Sequence, residues 1–341
     1  MAPKAAKRRI DESRTAVELT NADASICAAV CPEEGAELSS LKVSYGGEAA
    51  EIIFRAFDYS ECEGWRGRGP WLWPAVGRTF SAEEIDHIIK TGTSPRIGSY
   101  SLPDFPGRVF QIPIHGFAMR MPWALTETGS SNTEAWCTCA LRATPETKEA
   151  YPFDFELDLK TRVGASRVVL EFKVTADENN SAPMPFAAGN HMTFRVEPDT
   201  ESWCKSVFRT GATKRMLINK AAVTTGETVD LGDGVGGSIS DNFYHNGVLG
   251  GYSQDPAIAE LLWPDGRGIR VKQTQSREES DVVAPPSDYY CVLYAKQQRA
   301  YFCVEPWVGT PNVLNEGAPV VLKPGGSWLW EVSLEPFSEA L

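Results

Sequence analysis

The chain predicts an all-β protein, a large antiparallel sandwich with a few short helices, and three observations carry that prediction. The first is period-2 patterning: Phe153-Asp154-Phe155-Glu156-Leu157-Asp158-Leu159 alternates apolar residues with carboxylates, as a strand with one dry and one wet face must. The same alternation returns in Leu170-Glu171-Phe172-Lys173-Val174 and in Trp328-Leu329-Trp330-Glu331-Val332-Ser333-Leu334. The second is punctuation, since 29 Gly and 23 Pro interrupt 341 residues at the short intervals that turns between strands require. The third is the scarcity of helix starts. Ser81-Ala82-Glu83-Glu84 is a capping box with Ile85, Ile88 and Ile89 behind it on one face, and Asp255-Pro256 is expected to open a short helical run to Trp263. Long polar loops are expected at Thr175 to Pro183 and at Gln275 to Ser287.

At the N-terminus, Met-Ala-Pro-Lys-Ala-Ala-Lys-Arg-Arg runs straight into Ile10-Asp11-Glu12 with no apolar stretch behind it. Neither an export signal nor a twin-arginine signal is complete there, so the expected location is the cytoplasm. Residues 1–14 are expected to form a mobile tail, and residues 15–341 a single β-sandwich domain, because large all-β domains run well past two hundred residues. No window approaches the roughly 20 apolar residues of a membrane span. A net charge of -12 argues against a nucleic-acid partner, which calls for a basic stripe. The eight Cys are dispersed and read as free thiols; neither Cys27 with Cys31 nor Cys137 with Cys139 has the spacing of a zinc knuckle. No metal or other cofactor is expected.

Only four His occur, and two stand in apolar, glycine-punctuated frames: His115 in Ile114-His115-Gly116-Phe117-Ala118, and His191 in Phe186-Ala187-Ala188-Gly189-Asn190-His191. Glu305 stands likewise in Val304-Glu305-Pro306-Trp307. One carboxylate and two imidazoles in such frames are the minimum for moving protons near neutral pH, because burial brings their pKa values toward the working range. Each also has a structural reading, a strand-end carboxylate for Glu305 and a core imidazole bound to a backbone carbonyl for His191. Arg78 either pairs with a surface carboxylate or forks onto two hydroxyls of a ligand.

These segments resemble the aldose 1-epimerases, the galactose mutarotase-like proteins. The resemblance rests on Trp73-Pro74-Ala75-Val76-Gly77-Arg78, His115-Gly116-Phe117-Ala118, Pro185 to Phe194, Glu305-Pro306-Trp307 and Leu322-Lys323-Pro324-Gly325-Gly326-Ser327 in shared order. Gly35 to Leu41 looks like the family's opening strand and Tyr151-Pro152-Phe153 like the start of its central part. It implies a galactose mutarotase-like β-supersandwich with an open concave face, and a reaction that interconverts the α and β anomers of a free aldose. By the same resemblance Glu305 is the base toward the C1 hydroxyl, His191 the acid toward the ring oxygen, and His115 a hydrogen-bond donor to the sugar. Arg78, Asn246, Trp73 and Trp307 are the expected substrate contacts, the two indoles by stacking on a pyranose face. A monosaccharide is the expected partner, and oligomeric state is not legible.

Two departures bear on substrate. Where the family has an aspartate before a small residue and a Leu, this chain reads Asn246-Gly247-Val248-Leu249, with Asp241 five residues earlier as the competing candidate. A hexose-6-phosphate 1-epimerase branch carries an arginine after its His-Gly-Phe-Ala segment, and here that position is Met119, followed by Arg120. Arg66 and Arg68 are either ligand contacts or surface charges. A neutral sugar is therefore favoured over its 6-phosphate, and the non-catalytic alternative is a carbohydrate-binding protein on the same scaffold, which would not need a Glu paired with a His. A lyase or hydrolase would call for a tyrosine or second carboxylate that no segment demands.

Overall fold

The computed structural model describes residues 2–47, 49–297 and 300–339. Its frame is two antiparallel sheets, of nine and eight strands, with a five-stranded sheet formed by the first 51 residues. The predicted alternation is present where it was legible: along Phe155–Val163 every second residue is buried, Val168–Ala176 lies beside it in register, and Ser327–Ser338 pairs with the far side of Val168–Ala176. Rings fill the space between the sheets. Trp71 stacks on Phe172 with centroids 5.1 Å apart, and Trp73 tilts onto Phe155 at 4.5 Å. Aromatic pairs of this kind add to the burial that drives sheet-on-sheet packing.

The helix expected from the capping box spans Ala82–Thr91, with Ser81 and Glu84 satisfying each other's backbone N–H groups and Gly92 closing its end in the left-handed region. Two expectations are corrected. The run after Asp255-Pro256 is a strand, Ala257–Leu262, whose buried Ala257, Ala259 and Leu261 follow period 2 and pair with Arg267–Gln275. Small apolar residues gave that period a weak signal, and a proline after an aspartate looks the same at a helix start. At the N-terminus, Lys4–Arg9 is not a loose tail but a strand paired along its length with Thr15–Thr20. Almost all its side chains are exposed, so backbone hydrogen bonds hold it and no alternation announces it; Arg8 adds an ion pair to Glu18 at 3.0 Å and lies over the Phe57 ring.

The eight-stranded sheet positions the site. Its central strand Tyr301–Val308 is buried at every residue and pairs with Tyr289–Lys296 on one side and with the short strands Ala188–Asn190 and Met192–Arg195 on the other. Residues 303, 305 and 307 share one face of that strand by the alternation of side chains. Across Tyr289–Lys296 the same row continues through Val292 to Val248 on Gly247–Gly250. No helix among the described residues is long and apolar enough to cross a membrane.

Candidate functional site

Folding brings His115, His191 and Glu305 together from three distant segments. His191 Nε2 lies 3.3 Å from Glu305 Oε1, and the His115 and His191 rings are 5.4 Å apart, edge to face. Trp307 closes the group at 5.8 Å from His115. The side chains are nearly out of water, at 8% exposure for His115, 4% for His191 and 1% for Glu305. Leu72, Met119, Val248 and Val292 join Trp307 in an apolar floor beside them.

Each residue is held by local backbone logic. His191 occupies the break between two short strands, where its N–H donates to the Pro70 carbonyl at 2.9 Å, while the Asn190 amide donates to the Gly69 and Pro70 carbonyls. Gly189, just before, leaves room for the Trp307 indole, which a side chain there would strike. His115 sits at φ +65°, uncommon for a residue with a Cβ, and is fixed by a reciprocal pair with Gly77. The His115 N–H donates to the Gly77 carbonyl at 2.8 Å, and the Gly77 N–H donates to His115 Nδ1 at 3.0 Å. Because Nδ1 accepts, the ring proton sits on Nε2, which is thereby a hydrogen-bond donor.

Burial, then the charges of Arg120 and Arg78, push His115 down to about 3, so it stays neutral at working pH. Burial also pushes His191 well below its ordinary value, with His115 adding to the effect, and drives Glu305 well above its own against a weaker pull from the Trp307 indole. The contact between His191 and Glu305 therefore holds one proton in two seats. Burial favours the uncharged arrangement, carboxylic acid beside neutral imidazole, and one hop across 3.3 Å converts it to carboxylate beside imidazolium. His191 Nδ1 and Glu305 Oε2 have no hydrogen-bond partner among the described residues. Buried polar atoms without partners are costly, and they cluster where a ligand completes them.

The remaining expected contacts divide. Trp307 is in the group. Trp73 is not: it is fully buried in the core among Phe117, Tyr151, Phe155 and Phe186, and only its carbonyl serves the site, accepting from Phe117 and Ala118. Its place beside the motif suggested contact, but the side chain follows its strand into the dry layer. A second indole on the site is Trp65, stacked on His191 with centroids 3.6 Å apart and 19° between planes, its Nε1 donating to Thr193 Oγ1 at 2.9 Å. Nothing in sequence separated it from the other tryptophans except the turn Cys62-Glu63-Gly64 before it.

Arg78 is half-buried near His115, donating to the Pro95 carbonyl at 3.2 Å with no carboxylate partner among the described residues. Arg120 donates to the Gly116 carbonyl at 2.7 Å. Arg66 and Arg68 are neither free nor surface charges, since both bind the buried Glu37. Asn246 is exposed at φ +52° immediately before the strand that carries Val248, whereas the Asp241 carboxylate caps a short 3-10 turn by accepting from the Phe243 N–H.

With this arrangement in view, the sequence matches the aldose 1-epimerase family over residues 16–335. The chain belongs to the aldose 1-epimerase family. Among solved structures it is similar to a galactose mutarotase-like protein from Clostridium acetobutylicum, with TM-score 0.73, 16% identity and 99% of both chains covered. It is also similar to galactose 1-epimerase from Lactobacillus acidophilus NCFM, with TM-score 0.71, 14% identity and 100% of both chains covered. A galactose mutarotase-like protein from Lactobacillus casei gives 0.69 and 19%, covering 94% of this chain and 100% of that one. At these identities the likeness establishes the mutarotase-like all-β fold alone. No curated protein matches the sequence significantly.

Gly116 offers a first test of how the site is held. It has φ +70°, and a Cβ there would drive into the Trp73 carbonyl. Gly116→Ala is expected to cost at least about 1–2 kcal/mol from backbone strain alone. Thermal melting should show the loss; an unchanged melt would mean that the segment tolerates other backbone geometry and does not fix His115.

Proposed function

We propose that the protein is an aldose 1-epimerase acting on a free aldose, with Glu305 and His191 as its acid/base pair. The observation that carries this reading is the buried contact between them, holding one transferable proton next to a second imidazole, His115, that donates through Nε2. Opening a hemiacetal requires removing the proton of the C1 hydroxyl and protonating the ring oxygen, then reversing both after the C1 carbonyl has turned. Glu305 as carboxylate takes the first proton and His191 as imidazolium supplies the second. Reclosure on the other face returns both, so the pair ends as it began. His115 Nε2–H holds the sugar by a hydrogen bond, and Trp307 with the apolar floor lies under a pyranose face. Asn246, with its side chain free of a capping duty, is the better candidate than Asp241 for a hydroxyl contact at the rim. A binding protein would have no use for a proton placed between two buried seats.

The pH dependence follows from the directions of the shifts. His191 is lowered, so a second proton enters the pair only well below 6.5; Glu305 is raised, so the single proton leaves only well above 4.5. Mutarotation should therefore be flat through neutrality, failing in acid when no base remains and in alkali when no acid remains. A break at the ordinary imidazole value in kcat against pH would contradict the neutral, shared-proton pair.

A second reading, a hexose 6-phosphate as substrate, is favoured by one observation: Arg78 and Arg120 both stand near His115 and, among the described residues, have only carbonyl oxygens as hydrogen-bond partners. Saturation-transfer NMR on a panel of aldoses and their 6-phosphates distinguishes the two. If the phosphate is the substrate, Arg120→Ala should lower kcat/KM for the 6-phosphate by about tenfold or more, in line with a lost charge-assisted contact, and leave the free sugar little changed.

A further inference from the structure

The face that carries Glu305 also carries Cys303, two residues earlier on the same strand and buried. Its register partner is Thr193, and the Cys303 thiol donates to Thr193 Oγ1 at 3.7 Å. One nitrogen of His191, Cys303 Sγ and one oxygen of Glu305 all lie within 4.8 Å of one another. The acid/base mechanism has no role for that thiol.

We propose that His191, Cys303 and Glu305 form a site for a thiophilic divalent cation of the zinc type, which switches the reaction centre off when it binds. Nitrogen, thiolate sulfur and carboxylate oxygen are the three donor types that Zn²⁺ takes, and three protein ligands leave a fourth position for water. Ligand atoms about 2.0–2.3 Å from one tetrahedral ion lie roughly 3–4 Å apart; His191 and Glu305 already stand at 3.3 Å, and the trio as a whole, within 4.8 Å, closes on an ion by side-chain movement of about 1 Å. A further observation and the charge balance point to a ligand here. Glu305 Oε2 and His191 Nδ1, on two of the three residues, are buried with no hydrogen-bond partner among the described residues. Charge also closes: two anionic ligands and a neutral imidazole offset a 2+ ion, so the occupied site is neutral in a nearly dry pocket, where burying a net charge is expensive. On binding, the thiol gives up its S–H proton and the proton shared by His191 and Glu305 leaves as well, two protons in exchange for one ion. The bound ion holds both members of the acid/base pair, and no proton remains to move.

Binding itself does not depend on the reading of Glu305 and His191 as a mutarotase pair; the effect on rate rests on it. The test uses Co²⁺ as a probe on the full-length, chelator-stripped protein with the exposed Cys62 and Cys204 replaced by serine. The expected result is one Co²⁺ per chain with a thiolate-to-cobalt charge-transfer band, displaced by Zn²⁺. Cys303→Ser should remove the band, and both Cys303→Ser and His191→Asn should weaken binding at least about tenfold. A measurement without variants accompanies it: Zn²⁺ should protect Cys303 of the wild-type chain from alkylation, read by peptide mass mapping. The ratio of mutarotation rates without and with Zn²⁺ should reach about 10² or more in wild type, the contribution of general acid/base groups, and approach unity in Cys303→Ser. A charge-transfer band that survives Cys303→Ser, no band at all, or equal alkylation of Cys303 with and without Zn²⁺ overturns the proposal. A chain that binds Co²⁺ as described but never accelerates mutarotation retains the metal site and refutes the proposed activity.

Discussion

Glu305→Gln is expected to abolish the acceleration of mutarotation while leaving the fold intact, and His191→Asn to do the same. Freshly dissolved α-D-glucose or α-D-galactose should lose its excess optical rotation faster with wild-type protein, and at close to the buffer rate with either variant. A general acid or base is worth on the order of 10²–10⁴-fold. Here the two share one proton, so removing either seat leaves the other without a partner and the effects should not add. Stability should hardly move in Glu305→Gln. In the resting protein burial keeps the carboxyl in its uncharged form, and an amide of the same shape replaces it without stranding a charge. Loss of rate with an unchanged melting curve separates chemistry from folding. A Glu305→Gln protein that still catalyses at more than about a tenth of the wild-type rate would remove the carboxylate from the mechanism. Wild-type protein that binds sugar and leaves the rate at the buffer value would favour the carbohydrate-binding alternative instead.

The strands that sequence revealed are those whose two faces meet different solvents. Phe155–Val163 alternates because one side enters the sandwich and the other stays wet, and that contrast is written in its side chains. Lys4–Arg9 has no such contrast, and Ala257–Leu262 carries its period on small residues after a proline; both are held by backbone pairing that no composition records. The site divides along the same line. His115, His191 and Glu305 were legible because titratable groups in apolar frames are rare in a chain with four His. Trp65 was not, since rings usually fill cores, and its seat on His191 depends on where a loop returns through Arg66 and Arg68. Cys303 was invisible for a similar reason: its partner Thr193 lies 110 residues away, and a lone thiol in an apolar strand carries no spacing to read.

Arg68→Met is expected to give the largest stability loss, on the order of 3–5 kcal/mol, because it strands a buried carboxylate. Glu37 is fully buried, and burial raises its pKa against the opposing charges of Arg68 and then Arg66. Arg68 binds that carboxylate through Nε and also donates to the carbonyls of Asp58 and Arg66, with its guanidinium over the Tyr59 ring at 4.6 Å. Removing it leaves Glu37 with Arg66 alone, at 3.1 Å and partly exposed, and leaves the Asp58 carbonyl unpaired. Against a typical total of about 5–15 kcal/mol, the loss should show as a large shift in the urea midpoint. Replacing both partners, Glu37→Leu with Arg68→Met, should restore most of it, since a well-packed apolar pair replaces a buried ion pair at little cost. Activity should not return in step. Arg66 would lose its closer carboxylate and keep the 3.6 Å contact to Glu34 and the bond to the Met119 carbonyl, so Trp65 beside it would be held less firmly over His191, and the double variant should fold yet catalyse poorly. A single variant that loses less than about 1 kcal/mol would show that Arg66 alone neutralises Glu37, and that the loop carrying Trp65 is anchored elsewhere.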